Sequence, residues 1–290
     1  MKVLELGVRA VLDAPLLEIS GLGQRPHSPE GGMQILAVGD EDFTVVSAAV
    51  RGADLSEFRR HALKELLETD GADSSEWEAA DGDRSGRVFI LQESPGVVYI
   101  LSPELDRLLH TIELSVEDSN RLDWTESPNS QGEGLVLLAN GHVLIAKEKD
   151  PPLLMEFGPR RDKAAGVDSE LLLLGHEEFP LPDSERAEHV LLSLWELDTA
   201  AAAKISDISD VAVGPDERLY LLSDESRCIA RLEHRLPPDQ RRLSITGMWK
   251  LPDEIEQPEG LVILEDMSPI VAIDSQEPSS NLFVLDPLHD

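Results

Sequence analysis

The chain has 290 residues, 41% of them apolar, enough for one large all-β domain. Its apolar runs are short and never approach the ~20 residues of a membrane-spanning helix. With 57 acidic and 25 basic residues the formal net charge is −32 at pH 7, which argues against nucleic acid or an anionic membrane surface as partner and favours cations and basic groups. The single cysteine, Cys228, cannot form an internal disulfide, and Met1 to Leu16 is interrupted by Glu5, Arg9 and Asp13. The expectation is therefore a cytoplasmic, monomeric, single-domain protein over 1–290.

Taken in chain order, the sequence repeats a unit: an acid beside a short apolar strand, a turn, a second apolar strand and another acid. The segment Val3 to Leu12 comes first and has no partner of its own. The first copy starts at Glu18 (Glu-Ile-Ser-Gly-Leu) and reaches its second acid at Asp40, with Gln24 to Gly32 read as an enlarged hairpin loop. A third strand is expected at Phe43 to Val46. Asp54 to Thr69 then has Leu55, Phe58, Ala62, Leu63, Leu66 and Leu67 near a 3.6-residue period, which predicts an amphipathic helix inserted near 54–69.

The second copy runs from Glu78 to Glu93, with further strands at Val97 to Leu101 and Leu109 to Leu114. Within it, Asp81-Gly82-Asp83-Arg84-Ser85-Gly86 resembles the start of a calcium-binding loop, but position twelve is Gln92 and the flanks read as strands, so it is a hairpin turn. Gly132 to Glu148 is the clearest copy, with Asn140-Gly141 between two apolar runs as a strong hairpin signal. Strands at Leu153 to Phe157 and within His189 to Leu197 follow. The fourth copy spans Asp210 to Asp224, then Cys228 to Leu232 and Leu243 to Leu251. The fifth spans Glu259 to Asp274 and ends with Leu282 to Leu285.

Between first and second acids the separations are 22, 15, 15, 14 and 15 residues, and successive copies start 60, 55, 77 and 49 residues apart. These intervals suit four-stranded antiparallel blades, so the expected fold is an all-β propeller of five blades, with Val3 to Leu12 completing the last blade and removing an exposed edge. A sixth blade concealed in Arg160 to Asp207 is the alternative.

In such a fold the start of each blade's first strand and the end of its second lie on one face. Glu18, Glu78, Glu133, Asp210 and Glu259 would ring the channel mouth, with Asp40, Glu93, Glu148, Asp224 and Asp274 outside them. Crowded carboxylates raise one another's pKa and call for compensation. A divalent cation supplies it, and oxygen donors on irregular loops favour Ca²⁺; the other reading makes these acids structural links between blades. The candidate metal ligands are Glu18, Glu78, Glu133, Asp210, Glu259 and Asp224.

No G-x-S-x-G, P-loop, G-x-G-x-x-G or paired-histidine motif occurs. The expected role is a metal-binding scaffold for a small molecule or protein at the acidic face. The alternative is a metal-dependent hydrolase of a phosphoester or lactone, with Asp210 or Asp224 as general base. Lys147 and Lys149 form the basic pair beside these acids. Trp77 and Trp124 adjoin motif residues, and the expected role of each tryptophan is packing between blades.

Glu18-Ile-Ser-Gly-Leu, Gly132-Glu133-Gly134-Leu135, Ser209-Asp210-Val211 and Pro258-Glu259-Gly260-Leu261 resemble the SdiA-regulated and phytase-like (esterase-like) propeller families. The resemblance implies a propeller with an axial metal site. A looser similarity to gluconolactonase-like propellers would place Glu18 or Glu133, Asp210 and Asp224 around the metal, although Asp210-Val211 stands where that family has Asn-Gly.

Overall fold

The computed structural model describes residues 2–26, 32–51, 54–67, 74–116, 132–173 and 177–289. The N-terminal segment gives β1 (Leu4–Glu5) and β2 (Val8–Leu12). A first antiparallel unit follows, with β3 (Ile19–Pro26), β4 (Met33–Gly39), β5 (Thr44–Arg51) and β6 (Asp54–Ala62). The second has β7 (Trp77–Gly82), β8 (Val88–Gln92), β9 (Val97–Leu101) and β10 (Leu108–Ser115). The third has β11 (Gly134–Leu137), β12 (Val143–Lys147), β13 (Leu153–Pro159) and β14 (Arg186–Leu197), and leads into the short helix α1 (Thr199–Ala202). The fourth has β15 (Asp210–Val213), β16 (Leu219–Ser223), β17 (Cys228–Leu232), the two-residue β18 (Arg242–Leu243) and β19 (Ile245–Lys250). The fifth has β20 (Pro258–Ile263), β21 (Pro269–Ile273) and β22 (Leu282–Leu285).

Second strands such as β4, β8, β12 and β16 are near-continuous runs of buried Leu, Ile, Val and Phe, the pattern of a strand covered on both faces. The covering is reciprocal. The buried core falls into five clusters, each built from two neighbouring blades. Leu36 and Val45 meet Trp77 and Val88; Phe89 and Ile112 meet Val143 and Met155; Leu144 and Trp195 meet Val211 and Leu221; Leu222 and Ile229 meet Leu261 and Val271; Ile270 and Leu282 meet Ile19 and Ile35. The last cluster joins the fifth blade to the first and closes the ring.

The closing strand is the expected one. β2 pairs antiparallel with β22, Leu12 opposite Leu282, while β1 lies parallel to β19 of the fourth blade, so the N-terminal segment straddles two blades. Asn281, fully buried, fastens it: Oδ1 accepts from Ala14 N at 2.8 Å, and Nδ2 donates to the carbonyls of Ala14 at 3.1 Å and Leu16 at 2.9 Å. Outer edges elsewhere are joined by parallel pairing of β10 with β14 and of β14 with β18.

The helix expected over 54–69 is not formed where the chain is described. Asp54–Ala62 is β6, the outer strand of the first blade, followed by a turn through residue 67; Glu68 and Thr69 lie outside the described residues. Glu57, at φ +59°, lies where two β6 residues oppose one β5 residue between Ser47 and Ala49. This bulge brings Leu55 and Phe58, three apart, into one core cluster, so a strand imitates helical spacing. In Arg160 to Asp207 the described residues supply β14 and α1 rather than a separate sheet.

Candidate functional site at the acidic mouth

The site begins with a register. In the first, second and fifth blades the pairing skips one residue at the start of the inner strand, between Ile19 and Gly21, Trp77 and Ala79, and Pro258 and Gly260. The skipped residues are Ser20, Glu78 and Glu259. In the third blade Glu133 N donates to Ala146 O at 2.9 Å, and in the fourth Ser209 N donates to Leu222 O at 3.0 Å; Ala146 and Leu222 lie opposite Gly134 and Asp210. The equivalent ring positions are therefore Ser20, Glu78, Glu133, Ser209 and Glu259. Glu18 and Asp210 are not among them.

Asp210 sits one residue further along, where the other blades carry Gly21, Ala79, Gly134 and Gly260. Inner strands approach so closely there that a Cβ on Gly21 would stand 2.2 Å from Glu78 O, and one on Gly134 would stand 2.7 Å from Val211 N. The Asp210 carboxylate, almost fully buried, uses the space. It accepts from Val211 N and Leu261 N, both at 2.7 Å, and from the backbone of Leu22, tying the fourth blade to the fifth and first. Asp81 does the same between the second and third, accepting from Gly82 N at 2.8 Å and from the backbone of Leu137. Burial raises both pKa values, that of Asp81 to about 8, while the backbone donors oppose the rise. The channel at this level, lined by Leu22, Leu135, Val211 and Leu261, leaves about 30 Å³, room for one or two waters.

The mouth is electrostatically different. Burial raises the pKa of Glu78 to about 8, followed by the charges of Glu93, Asp40 and Glu76, against a hydrogen bond from Ser20. Glu133 is pushed well above the usual range by burial and then by Glu78, Glu93, Glu148 and Glu259. Glu259 reaches about 9 through burial, Asp224, Glu78, Glu148 and Asp274. Glu133 feels the charges of both Glu78 and Glu259, and Glu259 that of Glu78, so the three form a triangle of like charge surrounded by the second acids. Asp40, Asp224 and Asp274 are raised too, chiefly by burial, and one Asp40 oxygen is buried without a partner. Glu18 lies near Asp40 and Asp274 and accepts from Gln276 Nε2 at 3.3 Å, outside the triangle.

One cation reaches into this ring from the chain itself. Lys147, 3% exposed, donates from Nζ to the carbonyl of Lys149. Burial lowers its pKa while Asp150, Glu148 and Glu133 pull it up. Lys149 pairs with Glu148 at 2.7 Å. Trp77, Trp195 and Trp249 are buried between blades, Trp77 edge-on to Phe43 of the first blade at 5.6 Å; Trp124 lies outside the described residues. Among the described residues no three His, Cys, Asp or Glu side chains stand close enough to hold a metal ion together. The donors at the mouth are carboxylate and hydroxyl oxygens, a chemistry that fits a hard cation.

A ring of four-stranded antiparallel sheets, closed by the N-terminal strand around a carboxylate-lined axis, defines a β-propeller. Within that class, a family model described as SdiA-regulated matches residues 66–284, and the chain belongs to the SdiA-regulated family. No curated protein sequence matches it significantly. Among solved structures it is similar to glutaminyl cyclase from Myxococcus xanthus, with 10% identity, 100% of both chains covered and a TM-score of 0.51. It also matches the PQQ-bound aldose sugar dehydrogenase from Streptomyces coelicolor, with 10% identity, 97% of this chain and 98% of the other covered, and a TM-score of 0.47. At these identities the likeness is one of fold.

Proposed function

We propose that the protein is a cation-dependent binding propeller, in which the acidic mouth takes a divalent hard cation, Ca²⁺ first, and with it a small molecule or a protein partner. The observation that supports this most is the Glu78–Glu133–Glu259 triangle: three carboxyl groups in one mouth, each raised by burial and then by neighbouring acids, with Glu78 and Glu259 both acting on Glu133. Such a ring costs the fold stability while empty and gains on neutralisation by a cation. The ion would sit among Glu78, Glu133 and Glu259 and meet them, like Ser20, Ser209 and the second acids, largely through water, since no three of the described acids stand close enough to share it directly. Asp210, held by backbone donors inside the channel, serves the fold.

Lys147 favours a second reading, metal-dependent hydrolysis of a phosphoester or lactone, because a buried ammonium beside the ring would meet a substrate anion. Asp224 would then be the general base.

Thermal unfolding in EDTA against millimolar Ca²⁺, Mg²⁺ and Mn²⁺ tests the main reading, since an ion that binds only the folded state raises Tm by mass action. A gain of several degrees for one ion, lost in Glu133→Gln, is the expected result. No gain for any ion would leave the ring as structural.

A further inference from the structure

At the face opposite the acids, the third blade holds a chain of titratable groups unrelated to the mouth. His142 follows the Asn140–Gly141 turn and is 2% exposed; Glu156 on β13 is fully buried. Nδ1 of His142 lies 2.7 Å from Glu156 Oε1, and Nε2 lies 3.3 Å from Asp162 Oδ2. Glu156 also accepts from Ala165 N at 2.8 Å and Gly166 N at 3.0 Å. From β14, His189 faces the same group, 2% exposed and with Nδ1 buried and unpartnered.

The segment that these bonds hold, residues 159–167, reaches the fourth blade. Val167 exchanges backbone hydrogen bonds with Leu236 at 2.9 and 2.8 Å, and a Cβ on Gly166, at φ +77°, would lie 2.3 Å from Leu236 O.

An imidazole flanked by two carboxylates satisfies both only when each ring nitrogen carries a proton. With one proton, Nδ1–H keeps Glu156 and the lone pair on Nε2 faces Asp162. Asp162, half exposed, is the partner free to leave, whereas Glu156 is buried and held by Ala165 and Gly166. We propose that Glu156–His142–Asp162 is a proton-operated latch: the doubly protonated ring pins the Pro159–Asp162 turn to the third blade, and loss of one proton releases Asp162 and loosens residues 159–164, which lead to the seam with the fourth.

The groups facing His142 fix the direction. Burial opposes its charge, but hydrogen bonds to Glu156 and Asp162, and the charges of both, more than offset this and raise its pKa. His189 is lowered to about 4 by burial and then by His142, against Asp162, so it stays neutral while His142 titrates. A raised histidine contributes stability that is complete below its unfolded value of ~6.5 and is lost as pH rises through the folded one.

The test is hydrogen exchange of the intact protein between pH 6 and 9, corrected for intrinsic rate, with ¹⁵N NMR of the His142 ring. Protection of amides 160–164 should fall about tenfold as the ring loses a proton, the size of one charge-assisted hydrogen bond, while Ala165 and Gly166 stay held by Glu156. In Asp162→Asn the exposed amide can donate to the neutral ring, so the step should vanish. Protection that stays flat in the wild type, a step that persists in Asp162→Asn, or a ring already neutral at pH 6 would each overturn the latch.

Discussion

Two sets of carboxyl groups, partly or wholly buried, share the axis, and their pKa values move in the same direction. In the channel, Asp81 and Asp210 are raised by burial while backbone N–H groups pull them back. At the mouth, Glu78, Glu133 and Glu259 are raised by burial and raised again by the acids around them. A perturbed pKa alone does not separate a structural acid from a ligand-seeking one; the second cause does. The channel acids are already answered by the fold, whereas in the proposed function the mouth acids would be answered by a cation.

Removing an answered acid should have the largest effect. Asp210→Ala leaves Leu261 N and Leu22 N buried without an acceptor, a loss of about 3 kcal/mol or more in denaturant unfolding. Asp210→Asn should also destabilise, because its NH₂ must face a backbone donor. If both variants unfold like the wild type, Asp210 is not the tie between blades. Asn281→Ala, which strips three bonds from the ring closure, should cost about 2–4 kcal/mol in the same measurement.

The mouth should respond with the opposite sign. Glu133→Gln removes a repelling charge and should raise the Tm of the metal-free protein by about 2–4 °C near pH 8, while abolishing the Ca²⁺-dependent gain. A lower Tm would place Glu133 with the answered acids.

The mouth should also give stability a slope with pH. The ordinary glutamate value is 4.5, whereas Glu78 titrates at about 8 and Glu259 at about 9 in the folded protein. Between these values the folded state holds protons that the unfolded chain has lost, so stability should decline as pH rises from about 5 to 9. Asp81, at about 8, adds to the decline. Ca²⁺ must displace the mouth protons, so its stabilising effect should grow over the same range. Unfolding at pH 5, 7 and 9 with and without Ca²⁺ measures both. Glu78→Gln should flatten the slope; an unchanged slope would assign it to the channel.

Much of the fold was legible because its signals are local. The Asn140–Gly141 turn, the Val97–Leu101, Cys228–Leu232 and Leu282–Leu285 strands and the closing role of the N-terminal segment all stand as read. The helix at 54–69 was misread because the bulge at Glu57 converts strand alternation into a three-residue step. The ring was legible in the second, third and fifth blades, where the acids are 15 residues apart. The fourth copy's separation of 14 was itself the signal: counting back 15 from Asp224 gives Ser209. In the first blade the long hairpin hid that Ser20, and not Glu18, takes the skipped position. The Glu156–His142–Asp162 chain had no motif signal: His142 and Glu156 meet across the β12–β13 pairing, and Asp162 joins them through the turn that follows.

Asn281 meets Ala14 across 267 residues. On a ribosome, the opening strand would emerge long before the strand it must join. Three blades could fold in turn while the leading segment stays unpaired, the fourth would then take up β1, and the ring would lock only when the fifth blade pairs with β2. Assembly of the acidic mouth, which needs the fifth blade's Glu259, would be postponed to the same moment, so no partly synthesised chain would offer the complete site.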